Sequence, residues 1–182
     1  ESIELVELIE FCYDILESLL KSNKSKINNV EPILDVDPMI YRIRIYSDEI
    51  RLKQILLNLV SNAVKFCRRG NVTIKCKYEN NKITITVSDS GIGIKRDDLN
   101  RLFNDFVMLE DENNLNKQGS GLGLSICKTL TSLLEIDLKF DSEYGSGTEA
   151  NLIIPVSEIL ESELSSLDEE VYEEQIPQNT SK

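Results

Sequence analysis

The sequence predicts an α/β two-layer sandwich, with a mixed, largely antiparallel sheet covered on one face by helices. Three observations carry that expectation. Residues 47–67 show an amphipathic helical period with a broad apolar arc. Residues 72–87 alternate apolar and polar around a short turn, the mark of a hairpin with one buried face. The order along the chain is helix, two strands, helix, hairpin, loop, helix, two strands, so both element types run through one body.

Between residues 3 and 20, Leu5, Leu8, Ile9, Cys12, Ile15, Leu16 and Leu19 recur at helical spacing, with acids on the other face. The polar run SNKSKINN, residues 22–29, ends that helix. Residues 32–35 and 40–46 are expected to be strands, with Asp37 and Pro38 making the turn between them.

Ser47 and Asp48 can cap the second helix, and Arg68, Arg69 and Gly70 close it with positive charge at the C-terminal end of its dipole. Leu52, Ile55, Leu56, Leu59, Val60, Ala63 and Phe66 form its core face. Beside them, Arg51, Gln54, Asn58, Asn62 and Lys65 fall within an arc of roughly 80°. Any amphipathic helix has a polar flank, so this stripe is a site only if other segments add a phosphate cradle and a base-recognition group. Amide oxygens suit Mg²⁺, and a lysine suits a phosphate.

Val72, Ile74, Cys76 and Tyr78 alternate with polar residues, as do Ile83, Ile85 and Val87, around a turn at residues 79–82. The second strand runs into DSGIGI at residues 89–94, and a short helix is expected over LNRLFNDF, residues 99–106. Residues 110–118 are polar and aperiodic, which predicts a mobile loop. In GSGLGLSICKTLTSLL, residues 119–134, three glycines precede a helical pattern of Leu124, Cys127, Leu130 and Leu134. A strand at residues 136–141, a turn at 144–147 and a strand at 148–154 stopped by Pro155 complete the body.

At 182 residues, 41% hydrophobic, with net charge −12, the chain has the composition of one soluble domain with a tail. From Val156 onward there are eight acids and one base, which leaves 24 acids and 19 bases, or −5, for the body. Neither part has the basic patch that nucleic acid binding requires. The tail, residues 156–182, has apolar Ile159, Leu160, Leu164 and Leu167 before an acidic, proline-containing end, and is expected to be a mostly disordered linker. Cys12, Cys67, Cys76 and Cys127 lack CxxC spacing and lie at or beside apolar positions, as buried thiols of a reducing, cytoplasmic compartment do. The absence of histidine excludes histidine-type zinc sites, a Ser-His-Asp triad and any phosphohistidine acceptor within this sequence. No apolar run approaches a membrane span, so no direct membrane contact is expected.

Two motifs supply what the polar stripe needs. DSGIGI puts a carboxylate at a strand end, where it can accept from an exocyclic amine, and follows it with glycines that let the backbone approach a flat ligand. GSGLGL lies at an expected helix start, where backbone amides and the dipole favour phosphate. Taken singly, the first is equally a plain turn. The second is neither familiar phosphate loop, since GxxxxGK[ST] is absent and the strand and acid that flank GxGxxG are missing.

The ordered series LLNLVSNAVKF, DSGIGI, LFNDF, GSGLGLSICK and GSGTEANLIIP is more specific than any member of it. Over residues 3–155 it resembles the ATP-binding catalytic domain of sensor histidine protein kinases, in the superfamily that also holds gyrase and the heat-shock chaperones, with its Bergerat-type ATP-binding fold. The resemblance implies that Asn62 coordinates Mg²⁺ and that Lys65 meets the nucleotide phosphates. It implies that Asp89 reads adenine in a pocket shaped by Gly91 and Gly93, with Thr148 near the base. Phe103 and Phe106 match the aromatics bordering the lid. Lys117, Gly119, Gly121, Leu122, Gly123 and Leu124 match the hinge and the phosphate-facing helix start.

Asn58 lies four residues before Asn62, where an ATPase of this superfamily presents a glutamate to activate water, and an amide cannot take that proton. The resemblance therefore implies two-component signalling, in which Asn58 and Lys65 serve transfer of the γ-phosphoryl group of Mg-ATP to a histidine. That histidine sits on a separate dimerisation hairpin of the parent kinase, and a response-regulator receiver domain is the downstream partner. With no histidine of its own, the chain is expected to be a fragment, with residues 1–155 as its catalytic domain. Two alternatives stand beside this reading: an ATP-hydrolysing member, against which Asn58 argues, and a degenerate nucleotide-sensing or scaffold domain, against which Asn62, Asp89 and the glycines argue.

Overall fold

The computed structural model describes residues 1–23, 29–99, 101–103 and 122–156. Strand β1 (Ser2–Glu4) leads into helix α1 (Leu5–Ser22), then β2 (Val30–Val36), a 3-10 helix (Pro38–Arg42), β3 (Arg44–Tyr46) and α2 (Glu49–Phe66). The hairpin β4 (Gly70–Glu79) and β5 (Lys82–Asp89) follows, then the short α3 (Arg96–Leu99), α4 (Gly123–Leu133), β6 (Asp137–Glu143) and β7 (Gly147–Pro155).

The main sheet has five strands in the order β2-β4-β5-β7-β6, with only β2 and β4 parallel, so the predicted class is the one observed. Alternation decides which face carries the helices. Val72, Ile74 and Cys76, then Ile83, Ile85 and Val87, then Ala150, Leu152 and Ile154 are buried on one face. They pack against Leu5, Leu8, Ile9, Cys12 and Leu16 of α1 and Leu52, Ile55, Leu56, Leu59 and Val60 of α2. The other face is polar, and there the partners Thr86 and Asn151 hydrogen-bond at 2.7 Å. Asn80 and Asn81, both at positive φ (52° and 57°), make the two-residue turn of the hairpin.

Three expectations need correction. The strand expected over residues 40–46 is a 3-10 helix followed by a strand of three residues, because Pro38 presets a helical φ and Asp37 caps the turn by accepting from Met39 N at 2.9 Å. Residues 3 and 4, expected at the head of the first helix, instead belong to β1, which pairs with β3 as a separate two-stranded sheet, and the helix starts at Leu5. Of the short helix expected at residues 99–106, residues 101–103 form a turn, residues 100 and 104–106 lie outside the described residues, and a helical turn is found ahead of it at Arg96–Leu99, with Asp97 and Asp98 in its first turn. The expected mobile loop (110–118) and most of the expected tail (157–182) lie outside the described residues. All four cysteines are buried and unpaired, as expected. Among the described residues, no helix is long and apolar enough to cross a membrane.

Candidate nucleotide site

The candidate residues gather at one end of the helix-covered face, where β5 and β6 end and β7 begins. Strand register sets them in a row. Val72 of β4 is the partner of Asp89 of β5, Asp89 of Thr148 of β7, and Thr148 of Ser142 of β6. Side chains of directly opposed residues share a face, so Asp89, Thr148 and Ser142 stand side by side next to buried Val72.

Asp89 is half-buried. Loss of solvent pushes its carboxyl up from 3.8 to about 6, opposed by the Gly91 N–H, which donates to its Oδ1 at 2.8 Å. The group is thus mostly ionised at neutral pH, with Oδ2 able to accept from a ligand amine. The strap after Asp89 is held across the end of α2, where Ile92 N donates to the Phe66 carbonyl at 3.3 Å. A side chain at Gly91 would strike that same carbonyl. Gly93, at φ 66°, takes the left-handed turn that brings the strap against β6, where its missing Cβ would collide with Glu143 O. Ile94 N then donates to Ser142 Oγ at 2.8 Å.

The other half of the site lies between α2 and α4. Of the polar stripe on α2, Arg51 and Gln54 are exposed, whereas Asn58, Asn62 and Lys65 are half-buried, so the C-terminal half of the stripe is the part that meets the rest of the fold. Asn62 Nδ2 donates to Asn58 Oδ1 at 3.5 Å, and Asn58 Nδ2 donates to Cys127 Sγ of α4 at 3.1 Å. Gly123, the first residue of α4, abuts the Asn58 amide, and a Cβ there would lie 2.5 Å from Oδ1 and 2.7 Å from Nδ2. Leu122 precedes Gly123 and Leu124 as the helix N-cap, and its own side chain makes no capping hydrogen bond. Backbone amides at such a start point along the helix axis, as those that bind phosphate do. Lys65 Nζ lies 4.8 Å from the ring centre of Phe66.

Phe103 packs edge-to-face on Phe140 of β6, with ring centres 5.6 Å apart, and Lys128 Nζ of α4 lies 5.5 Å from the Phe103 ring. The structure therefore brings Asn58, Asn62 and Lys65 together along α2, with Gly123 against Asn58 and Leu122 and Leu124 on either side of it in the chain, and Asp89, Gly91, Gly93 and Thr148 at the sheet end. Phe106, Lys117, Gly119 and Gly121 lie outside the described residues. Sequence reasoning missed Ser142 and Cys127. Ser142 had a readable signal, since it continues the inward series Leu138, Phe140 with a polar residue.

A mixed sheet under one layer of helices, with a half-buried carboxylate at the strand end and a helix start across the central helix, is an α/β sandwich of the kind that binds nucleotides. Residues 47–158 match the family described as histidine kinase-, DNA gyrase B- and HSP90-like ATPases, and the chain belongs to that family. It is 39% identical over 160 residues to hybrid signal transduction histidine kinase B of Dictyostelium discoideum, an alignment covering 82% of this chain and 8% of that protein. Its fold superposes on the catalytic domain of histidine kinase ThkA with a TM-score of 0.70 at 25% identity, covering 85% of this chain and 94% of that domain. Full-length ShkA in complex with AMPPNP gives a TM-score of 0.68 at 25% identity, over 85% of this chain and 30% of ShkA. The chain spans 8% to 15% of the length of the first curated relatives it matches. Within its family it is the catalytic, ATP-binding type of domain found in histidine kinases.

Proposed function

We propose that this domain binds Mg²⁺-ATP between the Asp89 row and the start of α4, and presents the γ-phosphoryl group to a histidine supplied from outside this sequence. The carrying observation is the division of labour on either side of the α2 end. Asp89 and Thr148 offer a desolvated polar edge to a base. The start of α4, set against Asn58, offers amides to phosphates. That ShkA holds an ATP analogue on the same fold supports this reading.

The residues present fit a nucleotide-borne Mg²⁺. Asn62 commits its amide nitrogen to Asn58, which turns its side-chain oxygen the other way. Among the described residues, no cluster of three or more Asp, Glu, Cys or His competes as a self-sufficient metal site. One neutral oxygen suits an ion that takes most of its ligands from phosphates and water. When bound, Mg²⁺ would offset phosphate charge. Lys65 adds positive charge on the same side of α2, and the backbone amides at the start of α4 orient the phosphate chain.

Transfer requires an imidazole nitrogen to attack Pγ while the bond from Pγ to the bridging oxygen of ADP breaks. The chain contributes position and electrostatics. Asn58 cannot take a proton from water, so hydrolysis has no base at that position. The hairpin and receiver partners belong to this same reading, as do the division into a catalytic domain (1–155) and a tail (156–182) and a cytoplasmic setting.

Incubation with labelled ATP, with and without a histidine-bearing hairpin from a related kinase, tests the proposal. The expected outcome is acid-labile, base-stable label on the hairpin and slow phosphate release without it. Rapid phosphate release by the chain alone would favour an ATPase, and ATP binding without transfer would favour a sensing or scaffold role.

A further inference from the structure

Ser142 lies at the end of β6 and forms a hydrogen-bonded hub beside the row that contains Asp89. Its Oγ lies 2.8 Å from Ile94 N, 2.7 Å from Gly147 O and 2.9 Å from Thr148 Oγ1. The direction of each bond follows from counting protons. A serine hydroxyl has one hydrogen to donate and two lone pairs to accept with. A backbone N–H can only donate, so Ser142 accepts from Ile94. A carbonyl can only accept, so the single Ser142 proton goes to Gly147 O. The contact with Thr148 is thereby left with one polarity, in which Thr148 donates its hydroxyl hydrogen to Ser142.

Among the described residues the Thr148 hydroxyl has no other hydrogen-bond partner, so with its proton turned to β6 it shows only lone pairs on the side of its partner Asp89. Asp89 Oδ1 already accepts from Gly91 N, and its remaining oxygen is also an acceptor. The row is therefore an acceptor next to an acceptor. Such an edge matches a ligand group that presents two hydrogens, directly or through an ordered water, and opposes one that presents an oxygen.

We propose that Ser142 is a specificity-determining positioning residue: by locking the polarity of the Thr148 hydroxyl, it makes the site select a 6-amino purine nucleotide over a 6-oxo one. This rests on the reading of Asp89 and Thr148 as the base edge of the nucleotide site. Ser142 acts through Thr148 and does not itself meet the base.

ATP and inosine triphosphate, which exchange an amino for an oxo group at C6 and a bare for a protonated N1, are the discriminating pair, with the C6 group the one that faces Asp89 in the proposed base site. Their dissociation constants should be measured on the same protein and its variants, with thermal melts to confirm folding. Ser142→Ala frees the Thr148 hydroxyl to turn its hydrogen toward the ligand, and the ATP preference should fall by about three- to tenfold, the worth of one neutral hydrogen bond. Ser142→Thr keeps the hydroxyl and should retain the preference. Thr148→Val should lose a similar share of it, and adding Ser142→Ala to that variant should change the ratio little further. Loosening of the strap through Ile94 would weaken both nucleotides alike and leave the ratio at its wild-type value, a result that overturns the inference. So does an equal drop in ratio with and without Thr148. If Ser142→Ala does not fold, Thr148→Val and Ser142→Thr still decide, because a preference unmoved by Thr148→Val removes the acceptor edge. Asp89→Asn separates the two levels: unchanged affinity for both nucleotides would overturn the base-site reading itself, whereas weakened ATP binding with a ratio indifferent to Ser142 would overturn only the role of Ser142.

Discussion

Asp89 and Thr148 are directly opposed across β5 and β7, at the end of the helix-covered face, although 59 positions separate them in the chain (148 − 89). That register sets a charged group and a hydroxyl side by side where the sheet runs out and the strap begins. Gly147, just before Thr148, has φ 119° and lies so close to Asp89 that a Cβ would strike its carbonyl oxygen. The close approach thus locks the two strands together at the site, and the pair inherits the rigidity of the sheet.

The first prediction concerns stability without ligand. The folded state raises the Asp89 carboxyl from 3.8 to about 6, so between those values the folded chain binds more protons than the unfolded one. Stability from this group therefore rises as pH falls through that window, and at neutral pH the buried charge is a cost. Asp89→Asn removes the charge and keeps an oxygen for Gly91 N. The ligand-free variant should melt higher than wild type at neutral pH, by about 3 kcal/mol at most, and the difference should vanish below about pH 4. A variant that melts lower at neutral pH would contradict the desolvation account.

Nucleotide binding should show the opposite preference. An ionised Asp89 accepts from the base amine with charge assistance, and a protonated one carries a hydrogen where the ligand also presents hydrogens. ATP affinity of the wild type should weaken as pH falls through about 6. Part of that fall belongs to the phosphates of ATP, so the informative quantity is the difference between wild type and Asp89→Asn, whose own profile should follow the phosphates alone. Parallel profiles would place the titrating group elsewhere.

The metal prediction isolates Asn62. Asn62→Asp exchanges a neutral oxygen for a charged one and loses the N–H that donates to Asn58 Oδ1. A carboxylate should bind Mg²⁺ more strongly but repel the phosphates it serves, so the Mg²⁺ concentration for half-maximal ATP binding should shift by several-fold. Adenosine, which lacks phosphates, should bind both proteins equally. An unchanged magnesium titration would return Asn62 to an ordinary half-buried polar residue.

What was legible in the sequence follows the range of the interactions. The hairpin, the Asp89 strap and the face of α2 are local patterns of period or motif, and they read correctly except that Phe66, expected on the core face, is half-buried and Val64 is buried instead. The 3-10 turn after Asp37 was misread because Ile40, Tyr41 and Ile43 have strand-like side chains, while Pro38 and the Asp37 cap set the backbone. The pairing of β1 with β3 joins segments of three residues, too short for any period to show. The placement of the candidate residues was legible where a single segment holds them, as with Asp89 and Gly91 at the strand end. The partnership of Asn58 with Cys127 spans 69 positions, and Ser142 meets Ile94 across 48, so both depend on packing and register that no local pattern encodes.

The last prediction uses a close contact between the two helices of the candidate site. Gly123 opens α4 directly against the Asn58 side chain, and a methyl group there would lie 2.5 Å from Oδ1. Backbone conformation does not demand glycine at this position, which has helical geometry, so any cost of Gly123→Ala comes from the collision and not from φ. The clash should push the start of α4 away from α2, at a cost of about 1–3 kcal/mol for an overpacked contact. Asn58→Ala alone should cost about 1 kcal/mol through loss of the hydrogen bond to Cys127 Sγ. Because the second change removes the atoms the first one strikes, the double variant should be more stable than the sum of the two losses, with a coupling of roughly 0.5 kcal/mol or more. Function should divide in the same way. On the proposed site, a displaced α4 start would move the amides assigned to the phosphates and leave the Asp89 row in place, so Gly123→Ala should weaken ATP markedly and adenosine little, and Asn58→Ala in the same chain should restore part of the ATP affinity. Additive stabilities, or an equal loss for ATP and adenosine, would show that the start of α4 and the phosphate half of the site are not coupled through this contact.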